Sequence, residues 1–263
     1  MSQNLQQLLA IMAKLRDPET GCDWDKQQSF KTIVPHTLEE AHEVADAIEK
    51  EDFVGLKDEL GDLLFQVIFY AQLGKEAGLF DFDAIMAGLN EKLVRRHPHV
   101  FEQQVSLSEA ELDAQWQAIK QAERESDNKS RQFGDDIVSS LPALTRAKKI
   151  QKRAASLGFD WPSYHGALEK VEEEVQEVNE ALAEDPYSEH SAEELGDLLF
   201  ATVNVIRHTK RDPEQLLRQA SNKFTNRFVQ VESVLAEKNI RLNEASLEQM
   251  DAAWEHIKQQ SKV

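Results

Sequence analysis

Two pairs of acidic residues have the type and spacing that metal chemistry needs. Glu174 and Glu177 form one pair, and Glu194 and Asp197 form the other further along the chain. Residues at i and i+3 of an α-helix lie on one face, so each pair directs two carboxylates the same way. If the two helices pack antiparallel, four carboxylates converge, and like charges in a partly dry site oppose ionisation. A divalent cation would relieve that repulsion, and oxygen ligands without Cys or His suit Mg²⁺ or Mn²⁺.

The same acids occur a second time in the first half of the chain. The string Glu-Leu-Gly-Asp-Leu-Leu-Phe covers residues 59–65 and, unchanged, residues 194–200. The acids of the first copy are Glu40, Glu43, Glu59 and Asp62. The acidic, basic and aromatic landmarks follow in the same order in both halves, which indicates a tandem duplication.

Basic residues accompany the acids. Lys170 lies one turn before Glu174, and Lys223 and Arg227 lie one turn apart on a later helix. Such groups bind phosphate oxygens, although each alone could equally be an ion-pair residue. The matching residues Lys92 and Arg96 in the first half favour a polyphosphate clamp.

The apolar residues of the repeated string predict how its helix is held. Helical spacing relates the members of each stripe, which are Leu60, Leu63, Leu64 and Val67, and Leu195, Leu198, Leu199 and Val203. We expect these stripes to be buried, with the acids at the boundary of a core. The glycine within each string costs about 1 kcal/mol relative to Ala, so we expect a close approach to the helix there.

As a set, these motifs resemble the MazG family of nucleoside triphosphate pyrophosphohydrolases, within the all-α NTP pyrophosphatase superfamily. The resemblance covers essentially the whole chain and rests on Glu-Glu-x-x-Glu at 173–177, Glu-x-Gly-Asp at 194–197, Lys-Phe-x-x-Arg at 223–227 and Lys-Ile-Gln-Lys-Arg at 149–153. It implies Mg²⁺-dependent cleavage of a nucleoside triphosphate between the α and β phosphates, giving monophosphate and pyrophosphate. It also implies a helical-bundle homodimer in which each site borrows groups from the neighbouring subunit.

The residues can then be given expected roles. Glu174, Glu177, Glu194 and Asp197 are the predicted metal ligands, and Glu40, Glu43, Glu59 and Asp62 are a weaker duplicate set. Glu173 or Glu193 is the predicted base or water-orienting group, or a ligand of a second metal; Lys170, Lys223 and Arg227 would stabilise charge on pyrophosphate. The predicted nucleotide contacts are Lys170, Val171, Glu172, Glu173, Glu174, Glu193, Asp197, Lys223, Arg227 and Trp254. Trp254 could stack on a base or simply cap the core.

Composition predicts an all-α protein. Only 10 Gly and 7 Pro occur in 263 residues, and the periodicity is helical, which leaves strands little room. Thr37, after Pro35 and three residues before Glu40, predicts a capping box at the start of the first acidic helix. A helix is also expected from Leu107 to Lys120. We expect repeats at residues 1–121 and 137–263, joined by a polar linker at 122–136.

The second repeat is the expected catalytic one. His36 stands where Lys170 stands in the second copy, so the first copy lacks one fixed cation. Pro98 is expected to end the first helix just after Arg96, whereas the helix that contains Arg227 can continue beyond it. The first repeat should therefore be weakly active or inactive and mainly support dimerisation or regulate.

Charge and cysteine content exclude other classes. A formal net charge of −18 disfavours nucleic acid and anionic membranes as partners. The single Cys22, the lack of a signal-like opening and the lack of a long apolar run predict a soluble, cytoplasmic protein. Three alternatives remain open, namely a di-iron bundle using Glu39-x-x-His42, a zinc site at His97 and His99, and a noncatalytic helical interaction protein.

Overall fold

The chain folds into helices. The computed structural model describes residues 3–102, 105–126 and 132–260, and all regular secondary structure in these ranges is helical, which confirms the predicted all-α class. The chain divides into two compact units, residues 1–128 and 129–263. Within the described ranges, no helix combines the length and the apolar character that crossing a bilayer requires.

The first unit is built on an antiparallel helix pair. Its helices are α1 (Gln3–Leu15), α2 (Asp23–Gln27), α3 (Phe30–Glu49), α4 (Phe53–Glu76), α5 (Phe82–Arg96), α6 (Pro98–Phe101) and α7 (Glu109–Ser126). The main packing is between α3 and α4, and α1 and α5 also pack on α4. Met12, Ile33, Ile68 and Phe69 are the most deeply buried members of the core, so the pair is held chiefly by burial of large apolar side chains.

The start of α3 differs from the prediction at Thr37. The helix begins at Phe30, and Ser29 and Thr32 form the capping box, each side chain bonding the backbone N–H of the other. Pro35 lies within the second turn, where it removes only one backbone donor. The Thr37 hydroxyl donates to the carbonyl of Ile33 rather than capping a helix. The first acidic residues therefore lie in the middle of a long helix, not in its first turn.

Helix α7 runs past the expected end at Lys120 and enters the segment predicted as a linker. Glu123 explains the extension, because its carboxylate accepts hydrogen bonds from Arg96 (2.7 Å) and Arg95 (2.8 Å) of α5. These bonds lower the pKa of Glu123 to about 2. The first residues of the segment predicted as a linker therefore belong to α7, which ends at Ser126.

The second unit repeats the helix pair. It contains α8 (Ala143–Ala155), α9 (Tyr164–Glu184), α10 (Glu189–His208), α11 (Pro213–Glu237), a 3₁₀ turn (Leu242–Glu244) and α12 (Leu247–Gln260). Helix α10 packs on α9 and α8, and α11 packs on α12. Helix α11 continues well beyond Arg227 while α5 ends at Arg96, as the sequence predicted.

The prediction that the repeated leucines are buried is wrong for this chain taken alone. Leu60 and Leu64 are 49% and 43% exposed, and Leu195 and Leu199 are 43% and 61% exposed. Leu63 and Leu198 are half-buried, and Val203, which belongs to the second predicted stripe, is buried as expected, with 2% exposure. The expected close approach at the string glycines is also not found, since an added Cβ at either would meet no atom within 4 Å in the described structure. Each string therefore presents an uncovered apolar face.

Candidate active site

Two serine caps fix the helix pair that carries the second acid set. Ser163 begins α9 by accepting a hydrogen bond from the backbone N–H of His165. Ser188 begins α10 in the same way, with the N–H of Ser191 as donor, and the Ser191 hydroxyl donates to the carbonyl of Asp185 at 2.6 Å. Because these bonds satisfy N–H groups at helix starts, they define where each helix begins and hence the register of its acids.

Three of the four predicted metal ligands lie together. Carboxylate oxygens of Glu174, Glu194 and Asp197 are all within 4.8 Å of one another. Glu174 is 5% exposed, so its charge is held largely away from water. Glu177 lies outside this cluster and is more exposed; desolvation, together with repulsion from Glu174 and Glu194, raises its pKa despite the attraction of Lys170. The cluster thus has a buried centre and a fourth carboxylate at its edge.

Lys170 supplies the counter-charge. Its ammonium donates to Glu173 at 2.8 Å, contacts Glu174 at 2.7 Å and lies 4.0 Å from Glu177. Hydrogen bonds to the first two acids raise the pKa of Lys170 well above its usual value. The lysine therefore stays charged at any physiological pH and offsets part of the acidic charge.

The donor set fits a hard divalent cation. All three clustered ligands are carboxylates, and the oxygens around an octahedral Mg²⁺ lie about 3–4 Å apart, so modest closure of the cluster would suffice. Glu177, exposed and one turn from Glu174, is free to turn towards the same centre. His190, which sequence reasoning missed, has Nδ1 at 3.4 Å from Glu194 and can orient that carboxylate. Its i, i+4 spacing to Glu194 was the signal available.

The first copy keeps the acids but not the lysine. Glu40, Glu43 and Glu59 cluster within 4.8 Å, and Asp62 lies outside the group. Burial, followed by repulsion from the neighbouring acids, raises the pKa of Glu40. His36, in the place of Lys170, lies 3.7 Å from the exposed Glu39. Glu39 is one of the two ligands in the di-iron alternative. Because it is exposed and lies outside the acid cluster, its position argues against that alternative.

The predicted clamp forms a separate group on α11 and α12. The guanidinium of Arg227 lies 6.0 Å from the ring centre of Trp254. The ring centre of Phe224 lies 5.1 Å from that of Trp254. Lys223 is exposed on the preceding turn. Trp254 packs against the core cluster that contains Val231. It therefore caps this core, which was one of its two predicted roles. Among the residues that the structure describes, the wall of the cavity beside the acids does not include Lys223, Arg227 or Trp254.

The remaining predicted contacts flank the acid cluster. Glu172 and Glu193 are exposed, and Val171 is half-buried on α9. Of these neighbours, Glu173 accepts a hydrogen bond from the ammonium of Lys170. Both Glu173 and Glu193 are exposed, and they differ in that one carboxylate oxygen of Glu173 is already engaged by Lys170.

A cavity of about 850 Å³ opens beside the acids. Lys170, Glu174 and Asp197 form part of its wall, and most of the rest comes from α8, α10 and the segment before α9. Four polar residues of the wall were given no role from the sequence; they are Gln151, Asp160, Asn204 and Arg207. Asn204 and Arg207 continue the helix face of Asp197 at i+7 and i+10, which was a usable signal.

Comparison with known proteins gives a consistent picture. The MazG nucleotide pyrophosphohydrolase domain matches residues 28–101 and 163–231. The chain is 48% identical over 260 residues to a nucleoside triphosphate pyrophosphohydrolase of Escherichia coli, covering 97% of each. It is 42% identical over 253 residues to a nucleoside triphosphate pyrophosphohydrolase/pyrophosphatase MazG of Thermotoga maritima, covering 96% of this chain and 95% of that protein.

Proposed function

The chain belongs to the MazG family and is a nucleoside triphosphate pyrophosphohydrolase, and on that premise we propose what its second unit does. It hydrolyses ribo- and deoxyribonucleoside triphosphates, including ATP, between the α and β phosphates. The products are a nucleoside monophosphate and pyrophosphate. The observation that carries this proposal is the cluster of Glu174, Glu194 and Asp197, two members of which, Glu174 and Asp197, line one cavity together with Lys170.

Mg²⁺, or Mn²⁺ in its place, is the proposed cofactor. Glu174, Glu194 and Asp197 would hold it, with Glu177 completing the protein ligands. When bound, the ion supplies positive charge to the phosphate oxygens and to an attacking water. The chain's own role is to fix these oxygens: burial of Glu174 and the contact of His190 with Glu194 restrict their side chains before substrate arrives.

The neighbouring groups manage the proton and the leaving group. Glu193 or Glu173 would accept the proton of the attacking water, and Glu193 is the less encumbered because Lys170 already donates to Glu173. Lys170 would shift its hydrogen bonds towards phosphate oxygens on the same side of the cavity. Lys223 and Arg227 would stabilise the departing pyrophosphate.

We propose a homodimer in which Lys223, Arg227 and Trp254 serve the site of the neighbouring subunit. Two features support this arrangement. These residues do not line the cavity of their own unit, and α10 and α11 expose large apolar side chains, with Leu199 61% and Phe224 56% exposed. Burying such surface against a second copy would stabilise a dimer by about 25 cal/mol per Å² of apolar area.

Isotope labelling tests the reaction. The full chain is incubated with ATP and Mg²⁺ in H₂¹⁸O, and the products are followed by ³¹P NMR and mass spectrometry. Attack at the α phosphorus gives AMP and pyrophosphate with ¹⁸O in the AMP. ADP and phosphate as first products, or ¹⁸O in the pyrophosphate, would contradict the proposed bond cleavage. Glu174→Gln serves as the matched inactive control.

Mixing two variants tests the shared site. One carries Glu174→Gln with Glu177→Gln, and the other carries Lys223→Ala with Arg227→Ala. If the clamp acts across subunits, equal amounts exchanged into mixed dimers recover about a quarter of the wild-type activity, because half of the dimers contain one complete site. Mixtures that stay as inactive as the separate variants would show that each site uses its own clamp.

A further inference from the structure

The proposed substrate and the chain that binds it carry charge of the same sign. The chain has a formal net charge of −18, and Glu174, Glu194 and Asp197 add local negative charge at the cluster. A nucleoside triphosphate is a polyanion, so long-range repulsion opposes its approach. A basic surface beside the cavity would reverse this repulsion locally.

Helix α8 concentrates positive charge next to that cavity. Its 13 residues, Ala143–Ala155, contain five of the chain's 30 Lys and Arg and no Asp or Glu. The same helix lines the cavity with Ile150, Gln151 and Ala154. A sixth of the basic residues therefore lie on one element of the cavity wall.

Two of the five basic residues are engaged within the second unit. Lys148 donates to Asp212 at 3.2 Å, and Arg153 donates to the hydroxyl of Ser156 at 3.3 Å. The other three are exposed and have no ion-pair partner among the residues that the structure describes; they are Arg146, Lys149 and Lys152. These three follow one another at i, i+3 and i+6, so they lie on one side of the helix, which we call the basic face of α8.

The stability of α8 does not explain the basic face. Cations stabilise the last turn of a helix, where they offset the partial negative charge of the C=O groups, and they are unfavourable in the first turn. Lys152 lies in the last turn, but Arg146 lies in the first and Lys149 in the middle. The first turn is held instead by the carboxylate of Glu214, which accepts hydrogen bonds from the backbone N–H groups of residues 144 and 145. The charges of Arg146 and Lys149 therefore do not serve to hold the helix.

The basic face is close enough to the cavity to act through space. An α-helix with its side chains is about 10–12 Å across, so charges on one side of α8 lie roughly 15 Å from phosphates in a cavity on the other. The Debye length is about 30 Å at an ionic strength of 0.01 M and about 8 Å at 0.15 M. The attraction therefore reaches the cavity at low ionic strength and is largely screened at high ionic strength.

We propose that the basic face of α8 steers the anionic substrate towards the cavity by long-range electrostatic attraction, without contacting the substrate once it is bound. The inference rests on the proposed function, since the substrate must be a polyanion. Such attraction raises kcat/KM by speeding association or tightening binding. It leaves kcat unchanged, because it acts equally on the bound ground state and on the transition state.

Charge reversal on the full chain tests the proposal. The variant carries Lys149→Glu with Lys152→Glu, and pyrophosphate release from ATP with Mg²⁺ gives kcat and kcat/KM at two ionic strengths. For a doubly charged Mg²⁺–ATP complex about 15 Å away, screened Coulomb attraction in water predicts a loss in kcat/KM of about tenfold at 0.01 M and less than about twofold at 0.15 M. The value of kcat should not change.

A matched control separates local charge from net charge. Lys238 is the exposed C-terminal cap of α11, whereas α8 is bound to the start of α11 through Glu214. The rise of 1.5 Å per residue places Lys238 about 36 Å further along that helix. At 0.01 M, Lys149→Glu alone should lower kcat/KM about threefold, and Lys238→Glu, with the same change in net charge, less than about 1.5-fold.

Three results would overturn steering by α8. Equal values of kcat/KM for Lys149→Glu and Lys238→Glu would show that position does not matter. A tenfold loss in the double variant that persists at 0.15 M, or a fall in its kcat, would indicate direct contact with the substrate instead. If the double variant loses its helical circular dichroism, Lys149→Gln with Lys152→Gln removes the charges without reversing them and should lower kcat/KM about threefold at 0.01 M.

Calorimetry with α,β-methylene-ATP and Mg²⁺ keeps this proposal apart from the proposed reaction, because it measures affinity without turnover. Pyrophosphate release and affinity that do not respond to the charge of α8 would overturn steering and leave the reaction intact. An affinity that falls on charge reversal at 0.01 M, in a protein that releases no pyrophosphate, would support steering and overturn the reaction.

Discussion

Removing the acids of one repeat at a time should separate the roles of the two units. The second-unit variant carries Glu174→Gln with Glu177→Gln, and the first-unit variant carries Glu40→Gln with Glu43→Gln. Glutamine keeps the shape of each side chain and removes its charge. We expect the second-unit variant to lose turnover and the first-unit variant to keep most of it. The second unit combines the acids with Lys170 and a cavity, whereas the first has His36 in the place of that lysine.

The size of the loss follows from the position of Glu174. This carboxylate is 5% exposed, and a unit charge at about 4 Å contributes roughly 4 kcal/mol at an effective dielectric constant of 20. A loss of that size in the transition state lowers the rate about 10³-fold. Glu177 is exposed and should add less. The rate should therefore fall by about three orders of magnitude in the second-unit variant and by less than about twofold in the first-unit variant.

Stability measurements show whether either variant acts by unfolding. Folding raises the pKa of Glu40 and of Glu177, in both cases first through desolvation, so their ionised forms are disfavoured in the folded state. As the pH rises through the carboxyl range these groups ionise, and their charge then lowers the free energy of unfolding. A glutamine carries no charge, so at pH 7 it does not lower the free energy of unfolding in this way. The metal-free melting temperature of the first-unit variant should thus not fall. A first-unit variant that stays folded and yet loses turnover as severely as the second-unit variant would refute the assignment of activity to residues 137–263.

Three further expectations can be measured on the full chain. Turnover should require Mg²⁺ or Mn²⁺ and stop with a chelator, because the carboxylate cluster and a polyanionic substrate repel each other; activity with zinc alone would contradict this. Lys223→Ala or Arg227→Ala should lower kcat without changing the circular dichroism, and loss of helical signal would make these residues structural. Glu123→Gln should cost about 2 kcal/mol of unfolding free energy at pH 7, since Arg96 and Arg95 hold the pKa of Glu123 at about 2. That stability is present above the ordinary carboxyl pKa and lost as the pH falls towards 2, so urea unfolding of the two proteins should converge there.

The helical class and the acid cluster could be predicted because they depend on local spacing. Helical periodicity identifies each acidic helix, and the i, i+3 spacing places Glu194 and Asp197 on one face whatever surrounds them. The start of α3 was misjudged because two capping signals compete. Ser29 with Thr32 and Thr37 with Glu40 both suit a helix start, and burial of Ile33 favours the longer helix.

The cavity could not be predicted because it is a property of packing. Gln151, Trp161 and Arg207 lie on different elements, and nothing in their spacing shows that they share a wall. Gly166 shows the difficulty well. Its sequence position suggests only a flexible start to α9, whereas its physical role is to give the indole of Trp161 room against the helix.

The exposed leucines show a limit of periodicity itself. A helical stripe establishes that one face of a helix is apolar, but a core of the same chain and a second copy of the chain bury such a face equally well. Leu60 and Leu195 occupy the same place in identical strings, and both are exposed in their own units. The open space beside Gly61 and Gly196 lies on helices that carry these faces. A glycine there has a physical use if a helix of a second copy approaches it, which is why the exposed stripe and the apparently unused glycine are explained together by the proposed homodimer.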